Sequence, residues 1–114
     1  MELDMAHSSR KDFNAEVTRA IDAALSEILG ERVLVVLYRY LKDHHDIRPD
    51  EICYRLPTII EVLEKMFGAV GTKAIGSDVA KKLYGQLGLR FVERSNYSLK
   101  GYIEEALKLL PNLE

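Results

Sequence analysis

The sequence predicts an all-α fold, a single compact multi-helical domain of about five helices. Three observations carry this expectation. Apolar side chains recur every three to four positions through most of the 114 residues. Glycine and proline interrupt that period where helices would stop and start. The composition, 47% hydrophobic and 30% charged, is that of a globular chain rather than a disordered one. A chain of 114 residues is one ordinary domain. At that size folding buries roughly two-thirds of the unfolded surface, so disulfide or metal staples are not required.

Residues Met1 to Arg10 are polar and unpatterned and read as a frayed leader, which leaves 11–114 as the helical domain. From Asp12 the helical period begins, with Phe13, Val17, Ala20, Ile21, Ala24, Leu25 and Ile28 on one stripe. Gly30 is the expected stop. The next run, ERVLVVLYRYLKDHH, is rich in valine, which favours strands. Its length and the spacing of Leu34, Leu37, Tyr38 and Leu41 argue for helix instead. Being apolar nearly all round, it is expected to be the central, most buried helix. Exposed apolar surface on this helix would instead indicate a dimer contact.

Ile47 to Leu56 carry the chain across, with Pro49 and Asp50 suited to a turn or a short helix start. Pro57 fits the first turn of a further helix, PTIIEVLEKMFG, whose stripe is Ile59, Ile60, Leu63, Met66 and Phe67. Gly68 should stop it. The period resumes through Ile75, Val79, Leu83 and Leu87, in a helix expected to start softly between Gly71 and Ser77. Each glycine at 71, 76 and 85 costs about 1 kcal/mol against alanine in a helix interior. Residues 89–97 break the pattern and allow a short hairpin-like segment, with Phe91 and Val92 extended and Ser95-Asn96 in a turn. Ser98 is a cap for a last helix carrying Leu99, Tyr102, Ile103, Ala106, Leu107 and Leu110, which Pro111 ends.

Net charge is −2. The charge is unevenly spread. Residues Thr72 to Lys100 hold six cations (Lys73, Lys81, Lys82, Arg90, Arg94, Lys100) against Asp78 and Glu93. Lys81 and Lys82 on a helix, with Arg90 and Arg94 around the hairpin-like segment, could form a recognition helix and wing that grip phosphates. Against this stands the acidic total, which is unusual for a dedicated DNA binder. An ordinary solvated face balancing acidic helices is the simpler reading.

The stretch LKDHHDIRPDEICYRLP, Leu41 to Pro57, gathers two adjacent histidines, four acids and the single cysteine. Neighbouring helical side chains diverge by about 100°, so His44 and His45 do not converge on one ion. A zinc site needs three or four suitably spaced ligands. His44, Asp46, Asp50 and Cys53 would supply them only if the connection folded back on itself. Histidines at a helix end also favour its dipole, which is the simpler account. Cys53 is read as a small core residue, since a catalytic thiol needs a base to lower its pKa.

GTKAIGSD, Gly71 to Asp78, has the spacing of a phosphate loop, but Ser77 stands where the lysine must be. GAVG at Gly68 to Gly71 mimics a single-strand-binding GXXG loop without its context. The six tyrosines are expected at the edges of the core, ring inward and hydroxyl outward. No metal, cofactor or catalytic residue is assigned. One cysteine excludes an intrachain disulfide. No apolar stretch reaches the length of a membrane span. The protein is expected to be cytoplasmic.

From about Ala24 to Leu110 the chain resembles the archaeal Nitrosopumilus output domain family. The resemblance rests on Ile52 and Tyr54 (I-x-Y) and on Leu63, Glu64, Lys65, Phe67 and Gly68 (L-E-K-x-F-G). Lys81 or Lys82 with Leu83 and Tyr84, and the last helix YSLKGYIEEA, also fit. Pro57 and Gly76 depart from the pattern. The resemblance implies a small helical module, alone or at the C-terminal end of archaeal regulatory proteins, with no established activity. No catalytic residue carries over. The expectation is a non-enzymatic interaction or output module with a protein partner or a second copy. Its working surface would be an apolar helix face or the basic segment. The alternative is a winged-helix-like DNA-binding regulator using residues 72–100, with Lys81, Lys82, Arg90 and Arg94 as contacts.

Overall fold

The computed structural model describes residues 10–110, so most of the expected leader, together with Pro111, lies outside the described residues. The all-α expectation holds. Helix α1 spans Arg10–Leu29, α2 Glu31–His45, α3 Leu56–Leu87 and α4 Leu99–Leu109, with a 3-10 helix at Pro49–Tyr54 between α2 and α3. No strand occurs among the described residues.

The core forms around α1. Its stripe of Phe13, Val17, Ala20, Ile21, Ala24 and Leu25 is fully buried. Helix α3 covers most of it, and α2 and the 3-10 helix cover the remainder. Ile28 shares the phase of this stripe yet is 47% exposed.

Helix α2 corrects the sequence reading. It lies at the periphery and packs chiefly on α1. Only Leu34, Leu37 and Leu41 are buried, one narrow stripe. The helix is apolar on more faces than the fold covers.

Two glycines make the joints. Gly30 adopts φ 83°, ψ 160°, and Gly68 adopts φ 77°, ψ 171°. At Gly30 the amide donates to the Ser26 carbonyl at 2.9 Å, closing α1, while the carbonyl accepts from Leu34 at 3.1 Å, opening α2. One residue therefore ends a helix and starts the next, with no linker. Side chains rarely adopt this positive φ, so glycine is required. Gly68, in nearly the same non-helical conformation, stops the first arm of α3, as expected, and starts the second across a kink. The soft helix start expected between Gly71 and Ser77 is thus absent, because the joint resets the helix within one residue. Gly71, Gly76 and Gly85 all lie inside α3. Gly76 lies close to α4: a Cβ there would meet the Leu99 Cβ at 3.4 Å, in van der Waals contact.

Helix α2 ends with Asp46 in the left-handed region, φ 55°. Its amide donates to the Lys42 carbonyl and that of Ile47 to the Leu41 carbonyl, both at 3.1 Å. This is a Schellman closure, sealed by the buried Ile47. Glu51 then accepts from the Arg48 amide at 2.9 Å, starting the 3-10 helix. Pro57 occupies the first turn of α3, as expected.

The hairpin-like segment is an unpaired extended strap. Gly88, φ 71°, caps α3, and Ser95-Asn96 form the expected turn, closed by Tyr97 donating to the Arg94 carbonyl at 3.1 Å. A side chain, not a strand, holds it. The Tyr102 hydroxyl accepts from the Arg94 amide at 2.7 Å and donates to the Arg94 carbonyl at 3.0 Å. Phe91 and Tyr97 pack against the Tyr102 ring at 5.4 and 5.1 Å between centroids. The Ser98 hydroxyl caps α4 by accepting from Gly101 at 3.2 Å.

Candidate functional site

The basic segment is partly consumed by the fold. Lys82 Nζ lies 2.9 Å from Glu27 of α1 and 3.8 Å from Asp78. The hydrogen-bonded ammonium holds the Glu27 carboxyl below its ordinary pKa, and Glu27 in turn raises that of Lys82. Arg94 lies 3.3 Å from Glu105 of α4, with its guanidinium 5.3 Å from the Tyr97 ring centroid. Lys73 donates to the Ser95 carbonyl. Lys81 and Arg90 are exposed and make no ion pair among the described residues. Two of the four candidate contacts, Lys82 and Arg94, are therefore paired with carboxylates, which come from α1, α3 and α4. No strand pairing builds a wing beside them.

His44 and His45 end α2, and the imidazole of His44 stacks on Tyr40 at 4.4 Å between centroids. No group of three or more His, Cys, Asp or Glu able to hold a metal ion occurs among the described residues. Cys53 is half-buried against the core from the 3-10 helix. GTKAIGSD is continuous α-helix, not a loop, so its amides serve the helix rather than a phosphate. The tyrosines match their expected role in part. Tyr38 is half-buried and donates to Asp22 at 2.8 Å. Tyr84 is buried, with its hydroxyl at Glu105. Burial first, then these carboxylates, push both hydroxyls above the ordinary tyrosine pKa. No described helix is long and apolar enough to cross a membrane.

Two features remain that the core does not use. The first is the outer face of α2. Val33, Val36 and Tyr40 are 43, 65 and 39% exposed and recur at i, i+3 and i+7, which is one helical stripe. Val35, 56% exposed, lies on the far side of the helix. The sequence signal is an apolar run with few polar interruptions, which fits either burial or an exposed contact surface, and the exposure of these residues decides against burial.

The second feature is a cleft of about 640 Å³. The two arms of α3 diverge from Gly68 to form its walls. Ile21 and Leu25 of α1 line it, and the strap and Tyr102 bound the remaining side. Its surface is mostly apolar. Thr72 lines it and is 8% exposed, and the Thr72 Oγ1 has no hydrogen-bond partner. No sequence pattern pointed to this cleft, because it depends on the bend at Gly68.

No protein-family model, no curated protein and no solved structure matches the chain.

Proposed function

We propose that the protein is a non-enzymatic interaction module of a regulatory kind, which docks through the outer face of α2 onto a second copy of itself. The observation that supports this is the stripe Val33, Val36 and Tyr40, left in water beside the packed stripe Leu34, Leu37 and Leu41 of the same helix. Soluble chains tend to cover contiguous apolar surface, and a large exposed patch marks an interaction site. A two-fold contact is the commonest way for a chain to do so, since one stripe supplies both halves of the interface.

The nucleic-acid reading has less support, since Lys82 and Arg94 already hold carboxylates. Light scattering on the wild type and on Val36→Glu tests the proposal. The wild type should reach a dimer mass with rising concentration, and the variant should remain a monomer. A wild type that stays monomeric at its solubility limit contradicts it. Retardation of bulk DNA at low salt, abolished in Lys81→Ala/Arg90→Ala, would favour the other reading.

A further inference from the structure

We infer that the cleft between the arms of α3 binds a small neutral molecule that is mostly hydrocarbon, held by the apolar walls and by no polar contact. At about 640 Å³ the cleft has the size of a small-molecule site, which typically spans roughly 300–1,000 Å³. Two turns of a docked partner helix, about 10–12 Å across, fill roughly 850–1,200 Å³, more than the cleft holds. Its walls are hydrocarbon: Ile59 and Leu63 from the first arm, Ile75 and Val79 from the second, and Leu99 from α4. Val70, 86% exposed, belongs to the same lining, so the apolar surface continues out to water. Water against such a surface is displaced favourably by an apolar body.

The polar groups of the cleft are already engaged, and that decides against a charged ligand. Lys73 donates to the Ser95 carbonyl, and Ser77 to Glu93 at 3.3 Å, so both side chains tie α3 to the strap. Arg94 pairs with Glu105 at 3.3 Å, and the Tyr102 hydroxyl bonds to the Arg94 backbone. The Thr72 hydroxyl is sealed beneath the surface, out of a ligand's reach. The charged residues of the lining cancel, Lys73 and Arg94 against Glu64 and Glu93. An ion of either sign therefore meets no net opposite charge, and its head group keeps its water by staying outside. A head group held outside draws methylenes out of the cleft, and each one withdrawn weakens binding about fourfold. The cleft thus ranks ligands by the hydrocarbon they bury, not by their charge.

Three features separate this site from the docking face of α2: it lies on α3, it is concave, and it requires no second copy. Titration with octanol, hexanol, octanoate and octylamine tests it, followed by the methyl chemical shifts of Ile59, Ile75 and Val79. Octanol should saturate at one molecule per chain and shift those methyls. Hexanol, two methylenes shorter, should bind about fifteenfold more weakly. Octanoate and octylamine should both bind more weakly than octanol. Ala69 and Ala74 line the cleft at exposed positions, so Ala69→Trp/Ala74→Trp narrows it from outside the core. That variant should keep the wild-type thermal melt and weaken octanol about tenfold, as if two methylenes were excluded. The same titration on Val36→Glu should give the wild-type result, so that failure of the dimer does not bear on the cleft. Absence of saturable octanol binding overturns the inference. So do shifts confined to Val33 and Val36 on α2, a preference for either ion over octanol, or an unchanged affinity in the folded double variant.

Discussion

Tyr84 on α3 donates its hydroxyl proton to Glu105 on α4 at 2.6 Å, while the same oxygen lies 3.0 Å from the Tyr102 carbonyl. Glu105 also holds Arg94 of the strap at 3.3 Å. One carboxylate therefore fastens three elements. Tyr84→Phe keeps the buried ring and removes the hydroxyl. It should lower stability by about 1.5–3 kcal/mol, the usual worth of a hydrogen bond to a charged partner, measured by urea denaturation. A loss below a few tenths would mean that Glu105 is satisfied without Tyr84.

Tyr38 and Tyr84 hydroxyls titrate above the ordinary tyrosine range in the folded state. Their folded pKa values are raised, so their contribution is fully present below the unfolded value of about 10 and is lost as pH rises beyond it. Absorbance at alkaline pH should show two tyrosines ionising late, together with unfolding. Tyr38→Phe/Tyr84→Phe should remove that late step. Six tyrosines ionising together before any unfolding would contradict the burial of these two.

Asp46 closes α2 with φ 55°, a conformation that suits glycine better than any side chain. Asp46→Gly should stabilise by about 0.5–1 kcal/mol. Gly30→Ala and Gly68→Ala place a side chain at φ 83°, ψ 160° and φ 77°, ψ 171° and should each cost about 1–3 kcal/mol, read from thermal or urea melts. No Cβ clash is involved at either glycine, so the effect isolates backbone strain.

The two faces of α2 should respond differently to truncation. Leu37→Ala opens a cavity in the core and should cost about 2–5 kcal/mol. Val36→Ala, one residue earlier and 65% exposed, should change monomer stability by no more than about 0.5 kcal/mol. Equal losses at the two positions would place Val36 in a packed environment.

Much of this fold was legible because helices buried on one stripe announce their period. Val17, Ala20, Ile21 and Leu25 repeat as α1 requires, and Gly30 and Gly68 mark the joints. The failures have physical causes. Periodicity reports which residues are apolar, not which element comes to cover them. Val36 and Leu37 are both apolar, and only the way α2 lies on α1 decides that one is buried and the other wet. Met66 was placed on the α3 stripe and is 46% exposed, while Val62 was missed and is buried. Nor does charge clustering along the chain report pairing in space: Lys82 finds Glu27 across 55 residues. The Thr72 cleft needs two arms that only the joint brings into opposition.

The central claim, that a second copy covers the outer face of α2, is tested most directly by isotope-filtered NOE spectroscopy on a mixture of labelled and unlabelled chains. Intermolecular contacts should run between the methyls of Val33 and Val36 and the ring of Tyr40 on the opposing copy. Their absence, or intermolecular contacts confined to another face, would contradict it.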